Sequence, residues 1–341
     1  MIVDKHGKII IEPKSTSYQL GLNIQKFFGG TGRKYITDQC EKKGNNTNKQ
    51  EKNKLIQNFV NTFHIDYKTA QRCMNTTEPT ECWNKFSSLN DFFIRKRIGL
   101  PKLSSIVIRE DNNLRSYWKK TTTPTNFSKN NMIVSPSDCY SVYLHHNEYK
   151  IWIKGSMFTK EKLFGVPQKK VDGYDLFVFR LAPHHYHRFH CPVNGYITEI
   201  SLLGNEYYSV NPLYVNSNTN VFTENVRICL TIVTKHNTML YLAIIGAQCV
   251  SSIQLTNFKK GDLITILKNS PNRKIKFRKN RPELKLFDEL GYFLFGGSTL
   301  VLGFPNDIYT STNLTEFIDM NTRIKKAETE IQTGDFLLKK I

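Results

Sequence analysis

The sequence has no long apolar run. A membrane-spanning helix needs about 18 or more consecutive apolar residues, and this 341-residue chain has no such stretch. The longest candidate, residues 240–250, is interrupted by Gly246 and Gln248 and is better interpreted as a buried strand. The opening residues, MIVDKHGKIIIEPK, lack the apolar core of a secretory signal. We therefore expect no transmembrane segment and no secretory signal.

Paired cysteine motifs are also missing. The chain has seven cysteines, an odd number, at scattered positions and without a CxxC pair. Disulfide frameworks and structural zinc sites usually show regular spacing. We therefore expect neither a disulfide framework nor a structural zinc site, and we expect the protein to function in a reducing compartment. The cysteines are Cys40, Cys73, Cys82, Cys139, Cys191, Cys229 and Cys249.

Acidic side chains are scarce relative to basic ones. There are 29 acidic and 48 basic residues, a formal net charge of +19. Such a surplus attracts polyanions, either nucleic acid or an anionic lipid surface. A solvated basic surface explains the same numbers, so composition does not choose between these alternatives.

The first third of the chain has helical periodicity. Apolar residues recur at helical spacing over residues 54–73, and further helices are predicted at 18–28 and 88–96. We interpret their apolar faces as core, with membrane contact as the alternative. Residues 41–54 are polar and rich in Lys and Asn, which predicts a linker. These features define a mainly helical region over residues 1–130.

From about Ile133 onward, short apolar or alternating runs are separated by Gly, Pro, Asn and Asp, a pattern typical of antiparallel strands. The sequence thus predicts an α+β fold, with the helical N-terminal region followed by a β-rich, mainly antiparallel catalytic body over residues 131–341. Strands are predicted at residues 8–11, 140–144, 150–153, 176–181, 196–202, 226–233, 239–245, 263–266 and 291–302.

Three segments carry candidate chemistry, and the first is VSPSD at residues 134–138. An apolar strand runs there into a turn with one carboxylate, Asp138. An Asp after Pro is usually a turn-forming residue, so a structural role is the alternative to a catalytic one.

The second segment, residues 180–190, holds four of the nine histidines within seven residues. Histidine titrates nearest neutral pH, so the cluster indicates proton transfer or metal binding. His187 and His190 have HxxH spacing, but the glutamate of a zinc hydrolase motif is missing. Catalysis, metal binding and structural packing all remain open from the residues alone.

The third segment is GYFLFGGSTLVL at residues 291–302, with a glycine pair directly before Ser298 and Thr299. Glycine inside a strand marks a bulge or a close backbone approach. It leaves the Gly297 carbonyl uncrowded, so a neighbouring hydroxyl can attack it. A phosphate-binding loop is the alternative, but the Lys of GxxxxGK[ST] is absent.

Together the three segments resemble those of the phosphatidylserine decarboxylase family, in the same order. The family's Asp motif is similar to VSPSD. Its most distinctive motif is similar to RLAPHHYHRFHCPVNG (180–195), and its processing motif is similar to GYFLFGGST (291–299). Supporting similarities, which extend the resemblance over nearly the whole chain, are DKHGKIIIEP (4–13), LNDFFIRK (89–96), IKG (153–155), YYSVNP (207–212), VFTENVRI (221–228), IGA (245–247) and MNTRIKKAETEIQTGD (320–335).

The chain departs from the family pattern at a few positions. Ser137 and Cys139 flank Asp138 where many members have Ala and Gly, and His185 stands where Asp usually precedes Tyr-His-Arg. Ser251 follows Val250 where Gly is common. None of these changes removes an essential functional group, but we expect His185 to shift the pKa of its histidine neighbours.

The resemblance implies a proenzyme that cleaves itself between Gly297 and Ser298. It assigns a charge relay to Asp138, His190 and Ser298, in which His190 deprotonates the Ser298 hydroxyl for attack on the Gly297 carbonyl. The products would be a β chain, residues 1–297, and an α chain that begins at Ser298.

The resemblance further implies that Ser298 becomes a covalent pyruvoyl cofactor, which heads the α chain, residues 298–341. This group would form a Schiff base with phosphatidylserine and yield phosphatidylethanolamine and CO2, a step of phospholipid biosynthesis. His187 is the candidate for contact with the substrate carboxylate or for proton transfer. No metal is implied.

The expected partner is an anionic membrane surface, approached peripherally from the cytoplasmic side. A basic cluster in residues 273–281 could pair with anionic head groups. No nucleic-acid module is visible, and the resemblance allows a homodimer. Two alternatives remain, a pyruvoyl decarboxylase acting on another serine-containing lipid or an amino acid, and a non-catalytic lipid-binding relative.

Overall fold

The computed structural model describes residues 2–3, 9–10, 48–100, 129–146, 151–153, 156–182, 184–208, 220–247, 253–256, 258, 263–294, 298–311 and 328–340. Within these residues the α-helices are α1 Lys49–Phe63, α2 Pro79–Asn84, α3 Leu89–Phe93, α4 Lys160–Phe164, α5 Val221–Glu224 and α6 Leu263–Asn269. Short 3-10 helices lie at Tyr67–Thr69, Lys129–Asn131, Gln168–Lys170 and Pro271–Arg273.

The strands are β1 Ile2–Val3, β2 Ile9–Ile10, β3 Met132–Val134, β4 Cys139–Leu144, β5 Ile151–Ile153, β6 Ser156–Phe158, β7 Tyr174–Leu181, β8 Arg188–His190, β9 Gly195–Leu203, β10 Arg227–Thr234, β11 Met239–Ile245, β12 Ile253–Leu255, β13 Lys274–Lys276, β14 Glu283–Leu284, β15 Glu289–Phe293, β16 Ser298–Pro305, β17 Tyr309–Ser311, β18 Glu328–Ile331 and β19 Phe336–Lys340. After the two short strands β1 and β2, helices precede a strand-rich body, which confirms the predicted α+β class.

The N-terminal helices pack around a small aromatic core. Helix α1 begins after Asn48, whose side chain accepts a hydrogen bond from the backbone N–H of Glu51, and ends at His64, which has a left-handed backbone. Trp83 and Phe92 are buried beside α1 with their rings 6.0 Å apart, edge to face. The apolar faces of these helices are therefore core, as predicted.

A large sheet of 11 strands forms the centre of the β-rich part. Its order is β13-β9-β10-β11-β16-β7-β4-β18-β1-β2, with β14 also paired to β9. The β1–β18 pair is parallel and the other pairs of this sheet are antiparallel. Strand β16 lies between β11 and β7, and all residues of β7 are buried.

Three smaller sheets accompany the large one. Strands β12, β15 and β8 form one, β17, β19 and β3 form another, and β5 pairs with β6. Strands β8 and β15 belong to one sheet, while β7 and β16 belong to another. The chain therefore changes sheets twice, once in the histidine segment and once just before Ser298. These two crossings bring the histidine segment and Ser298 to the same end of the body.

The structure differs from the predicted elements in several places. Residues 263–266 belong to α6, because Leu263, Ile264 and Leu267 are buried at helical spacing while Ile266 is exposed. The single strand predicted over residues 291–302 is two strands, β15 and β16, in different sheets.

The N-terminal predictions also need correction. The helix predicted over residues 54–73 ends at Phe63, because His64 adopts the left-handed conformation. It starts at Lys49, so the end of the predicted linker is helical. The helix predicted at 18–28 and linker residues 41–47 lie outside the described residues.

One disulfide is present where none was expected. Cys73, in a turn after α1, bonds to Cys82 in α2, and both are buried. The described thiols of Cys139, Cys191 and Cys229 are free and buried. The pairing comes from the turn that folds α2 back on α1, a tertiary contact that cysteine spacing does not encode. Among the described helices, none is long and apolar enough to cross a membrane.

Two glycines with the same backbone conformation allow a test of the packing between β9 and β10. Gly204 has φ +68° and a Cβ there would lie 2.1 Å from the Asn225 carbonyl oxygen, whereas Gly99 has φ +71° and open space. We predict that Gly204→Ala lowers the free energy of unfolding by about 3 kcal/mol, through backbone strain and steric conflict. Gly99→Ala should lose only about 1 kcal/mol. Chemical denaturation measures both, and equal losses would contradict the packing described.

Candidate active site

Ser298 is the first residue of β16 and is fully buried. Its backbone pairs with Leu181 on β7, and Thr299 pairs with Arg180 on β7 and with Ile245 on β11. The Ser298 hydroxyl donates a hydrogen bond to the Ile245 carbonyl. Two neighbouring strands therefore fix both the backbone and the hydroxyl of this residue. Gly297, its predicted partner in cleavage, lies outside the described residues.

His190 lies on β8 and is held at three atoms. Its backbone N–H donates to the Pro136 carbonyl at 2.8 Å, and its ring Nδ1 lies 2.7 Å from the Phe287 carbonyl oxygen. A carbonyl only accepts, so Nδ1 carries the proton and Nε2 is the basic nitrogen, 3.2 Å from the Tyr186 hydroxyl. Burial lowers the pKa of His190, although the Phe287 carbonyl and nearby carboxylates act in the opposite direction. The ring is thus a neutral base.

Asp138 lies in the turn between β3 and β4 and binds groups from two distant segments. One carboxylate oxygen accepts hydrogen bonds from the backbone N–H and the hydroxyl of Thr333, both at 2.8 Å. The other oxygen forms an ion pair with Arg97. The carboxylate is therefore tied to the N-terminal helical region.

The three residues of the predicted relay are not joined in series. No hydrogen bond among the described residues connects Asp138 to His190 or His190 to Ser298. Asp138 acts on His190 through its charge, which offsets a part of the lowering of the imidazole pKa by burial, and through the Pro136 carbonyl in its own turn. The orienting hydrogen bond on His190 comes from the Phe287 carbonyl. The relay itself stays a prediction.

His187 is completely buried between the strands and the N-terminal helices. Its Nε2 lies 3.1 Å from the carbonyl oxygen of Ala182, the residue after the Leu181 that pairs with Ser298. Its ring stacks on Phe93 with centroids 5.5 Å apart. Burial, with the charge of Arg95, lowers the pKa of His187 to about 3. The imidazole is neutral, with its proton on the nitrogen that faces Ala182.

The residues that sequence reasoning missed come from the end of α3 and the chain after it. Phe93 stacks on His187, the Ile94 carbonyl accepts a hydrogen bond from Arg188 at 2.7 Å, and Arg97 binds Asp138. The segment 93–97 therefore covers the histidine segment directly. The sequence signal that points to this segment is the LNDFFIRK similarity at residues 89–96.

Within the described part of the chain, two groups of side chains have metal-ligand chemistry, and neither includes His187 or His190. They are His145, His146 and Asp175, and His184, His185 and Glu330. In the second group His185 Nδ1 accepts the backbone N–H of Ala182 at 2.9 Å. Its proton is therefore on Nε2, the atom that faces Glu330 at 3.9 Å, and this nitrogen has no lone pair for a metal. Burial, the largest effect, and the neighbouring His184 hold the pKa of His185 well below its usual value.

The comparisons with known proteins agree with this combination of fold and site. The family model for phosphatidylserine decarboxylase matches residues 116–332. The chain is 31% identical over 309 residues to the phosphatidylserine decarboxylase proenzyme of Fusobacterium nucleatum, covering 89% of this chain and 83% of that one. Both matches are to a family of decarboxylases. The chain belongs to the phosphatidylserine decarboxylase family.

Similarity extends to longer yeast proteins. The chain is 35% identical over 230 residues to phosphatidylserine decarboxylase proenzyme 2 of Komagataella phaffii, covering 65% of this chain and 19% of that one. It is 29% identical over 326 residues to proenzyme 3 of Schizosaccharomyces pombe, covering 94% and 28%. The chain therefore spans only a minor part of the length of these yeast relatives.

The buried neutral state of His187 predicts a pH dependence of stability. The pKa of His187 is about 3 in the folded protein against 6.5 as its ordinary value. Between these values the unfolded chain binds a proton that the folded protein does not, so the free energy of unfolding falls as the pH falls below about 6.5. In His187→Gln this slope should decrease by up to about 1.4 kcal/mol per pH unit.

The measurement is denaturant unfolding at a series of pH values. His236 is exposed, and His236→Gln is the matched control, which should keep the slope of the parent protein. If His187→Gln and the parent protein have the same slope between pH 6.5 and 4, His187 is not buried in its neutral form.

Proposed function

We propose that this protein decarboxylates phosphatidylserine to phosphatidylethanolamine and CO2, using a pyruvoyl group that it makes from Ser298 by self-cleavage. The observation that carries the proposal is the position of Ser298. Its hydroxyl is fully buried at the first residue of a central strand, next to a buried histidine segment, in a chain of the phosphatidylserine decarboxylase family. The relatives named above are proenzymes, which fits a chain that must be processed.

Self-cleavage starts with the Ser298 hydroxyl. Its oxygen attacks the carbonyl carbon of Gly297 and the peptide C–N bond breaks, which leaves an ester and a free amine on residue 298. A base then removes the α-proton, and the Cβ–O bond breaks with Gly297 leaving as a carboxylate. The resulting dehydroalanine becomes an imine, which water hydrolyses to a pyruvoyl group and ammonia. The chain is then divided into residues 1–297 and 298–341.

His190 is suited to serve as the base. The Phe287 carbonyl holds the proton on Nδ1, so Nε2 has the lone pair, and burial keeps the ring neutral. This nitrogen faces the Tyr186 hydroxyl, which must give way when Nε2 takes the Ser298 proton. The Ser298 hydroxyl donates to the Ile245 carbonyl, so it must turn away from that oxygen to reach a base. Asp138 supports the role of His190 by adding negative charge near the ring that takes up the proton.

The surroundings of residue 298 suit a pyruvoyl group. Thr299 Oγ1 is buried and has no hydrogen-bond partner in the described part of the protein, which leaves a donor beside a group rich in carbonyl oxygens. Strands β7 and β11 would hold the residue in place. The group, when present, supplies a ketone that forms a Schiff base with the substrate amine and accepts the electron pair as CO2 leaves.

His187 is proposed to transfer a proton or contact the substrate carboxylate. Phe93 on one side and the Ala182 carbonyl on the other fix the orientation of its ring. The neutral imidazole has its proton on Nε2 and its lone pair on Nδ1, so it can take up a proton at Nδ1 and return it to the product in a later step. Its burial also excludes water from this region, which protects a reactive carbon from premature contact with solvent.

Access to a lipid substrate is proposed to come from peripheral contact with an anionic membrane on the cytoplasmic side. In the basic cluster, Arg273 and Lys274 bind groups within the fold, with Lys274 Nζ 2.9 Å from Glu199. Lys279 and Arg281 are exposed, so these side chains are available to lipid head groups.

Ser298→Ala tests the self-cleavage directly. We predict that the purified parent protein gives two bands on a denaturing gel, and that Ser298→Ala gives one full-length band without decarboxylase activity, because the attacking oxygen is missing. Ser201→Ala, which removes a buried hydroxyl from β9, should be cleaved like the parent. Borohydride with phosphatidylserine should label residues 298–341 alone. Intact, active parent protein would refute the proposal.

The two histidines should separate into two roles. We predict that His190→Ala and Asp138→Ala stop cleavage, because one removes the base and the other the charge that supports it. His187→Ala should be cleaved but lose about 100-fold or more in decarboxylation rate, the typical loss of a proton-transfer group. Gels and CO2 release measure the two steps. A His187→Ala protein that stays uncleaved would show that this division is wrong.

A further inference from the structure

Arg95 is a buried arginine with an incomplete set of partners. It follows α3 and its residue is only 7% exposed. Its guanidinium lies over the Phe92 ring, 4.8 Å from the centroid. Two of its nitrogens point at the backbone carbonyls of Phe92 and His184, both at 3.4 Å, the outer limit of a hydrogen bond. No carboxylate pairs with it among the described residues.

The other buried arginines of the described chain are satisfied. Arg180 forms a two-pronged ion pair with Glu328 at 3.0 and 2.8 Å. Arg227 donates to four backbone carbonyls, at 2.6 to 3.1 Å. Since a guanidinium has five N–H donors, Arg95 keeps most of its hydrogen-bonding capacity unused. Burial lowers the pKa of Arg95 to about 10, so it is still charged at neutral pH.

A buried positive charge without an anionic partner is unfavourable unless another group offsets it. The location of Arg95 suggests which group this is. The charge of Arg95 acts on His187, and its guanidinium touches the carbonyl of His184, so it lies beside the histidine segment of the candidate active site. Asp138, the nearest carboxylate to act on it electrostatically, is already bound by Arg97 and Thr333.

We propose that Arg95 binds the phosphate group of the phospholipid substrate. The inference rests on the proposed function, since it assigns a part of that substrate to this side chain. A guanidinium matches two phosphate oxygens in a fork geometry, and Arg is favoured where such planar recognition is needed.

The phosphate is a better match than the substrate carboxylate for a physical reason. The carboxylate becomes neutral CO2, so an ion pair with it would stabilise the ground state and be lost in the transition state. The phosphodiester keeps its negative charge throughout the reaction. Binding it stabilises substrate and transition state equally, which lowers KM and leaves kcat unchanged.

The test compares Arg95→Gln and Arg95→Lys with the parent protein, using phosphatidylserine in mixed micelles and sn-glycerol 3-phosphate as a competing inhibitor. For Arg95→Gln we expect KM and the inhibition constant of glycerol 3-phosphate to rise about tenfold or more, with kcat within about threefold of the parent. Arg95→Lys should recover part of the affinity, because it keeps the charge and loses the fork. Inorganic phosphate should inhibit the parent less than the glycerol ester does, if the site takes a lipid head group.

Arg72→Gln is the matched control. Arg72 also lies over an aromatic ring, that of Phe86, but its side chain is 53% exposed and it is paired with Asp91. This variant should keep the parent values of KM and of the inhibition constant. Thermal unfolding checks that the Arg95 variants are folded.

The outcomes separate the two proposals. If the parent protein is not cleaved or does not decarboxylate, the proposed function fails, whatever Arg95 does. If the parent is active and Arg95→Gln keeps its KM and its inhibition by glycerol 3-phosphate, the phosphate assignment is overturned. A fall in kcat with an unchanged KM also overturns it, since Arg95 would then act on the reacting carboxylate or on His187.

Discussion

The pairing of β16 between β7 and β11 is the constraint on which the candidate site depends. It fixes Ser298 at the first position of a central strand of the main sheet, opposite Leu181, and directs its hydroxyl to the Ile245 carbonyl. The chain leaving β7 then supplies the histidine segment, because Ala182 follows Leu181 directly. A shift of one residue in this pairing would turn the Ser298 side chain to the other face. The register of one strand thus decides whether chemistry at Ser298 can occur.

Burial gives the histidines their chemical character. His185, His187 and His190 all have lowered pKa values, with desolvation as the main cause in each. Neutral imidazoles suit a site that must first remove a proton from a weak nucleophile. The same dry surroundings make every unpaired polar group costly. Two buried groups therefore indicate where further groups bind: Thr299 Oγ1, which has no partner in the described chain, and the Arg95 guanidinium, whose two hydrogen bonds are both long.

Much of the β-rich part could be predicted from the sequence, because buried antiparallel strands leave a local pattern. The strand at residues 239–245 has its predicted bounds. Residues 263–266 misled the prediction, since a short run with three apolar residues fits a strand or a helix equally well. The candidate motifs were visible as local clusters. The Cys73–Cys82 bond and the contact of Arg97 with Asp138 were not, because they join segments through tertiary packing that no spacing records.

The strand pairing also explains how the proposed cleavage before Ser298 would leave a stably folded protein. Every described strand after Ser298 is paired with a strand that precedes it or with another of its own segment: β16 with β7 and β11, β18 with β4, and β19 with β3. A cut before Ser298 therefore breaks no pairing in the sheet. Because Thr333 binds Asp138, the segment that the proposed cleavage would separate also helps to hold the carboxylate of the candidate site. The two pieces would remain one folded unit, since each completes the core and the active site of the other.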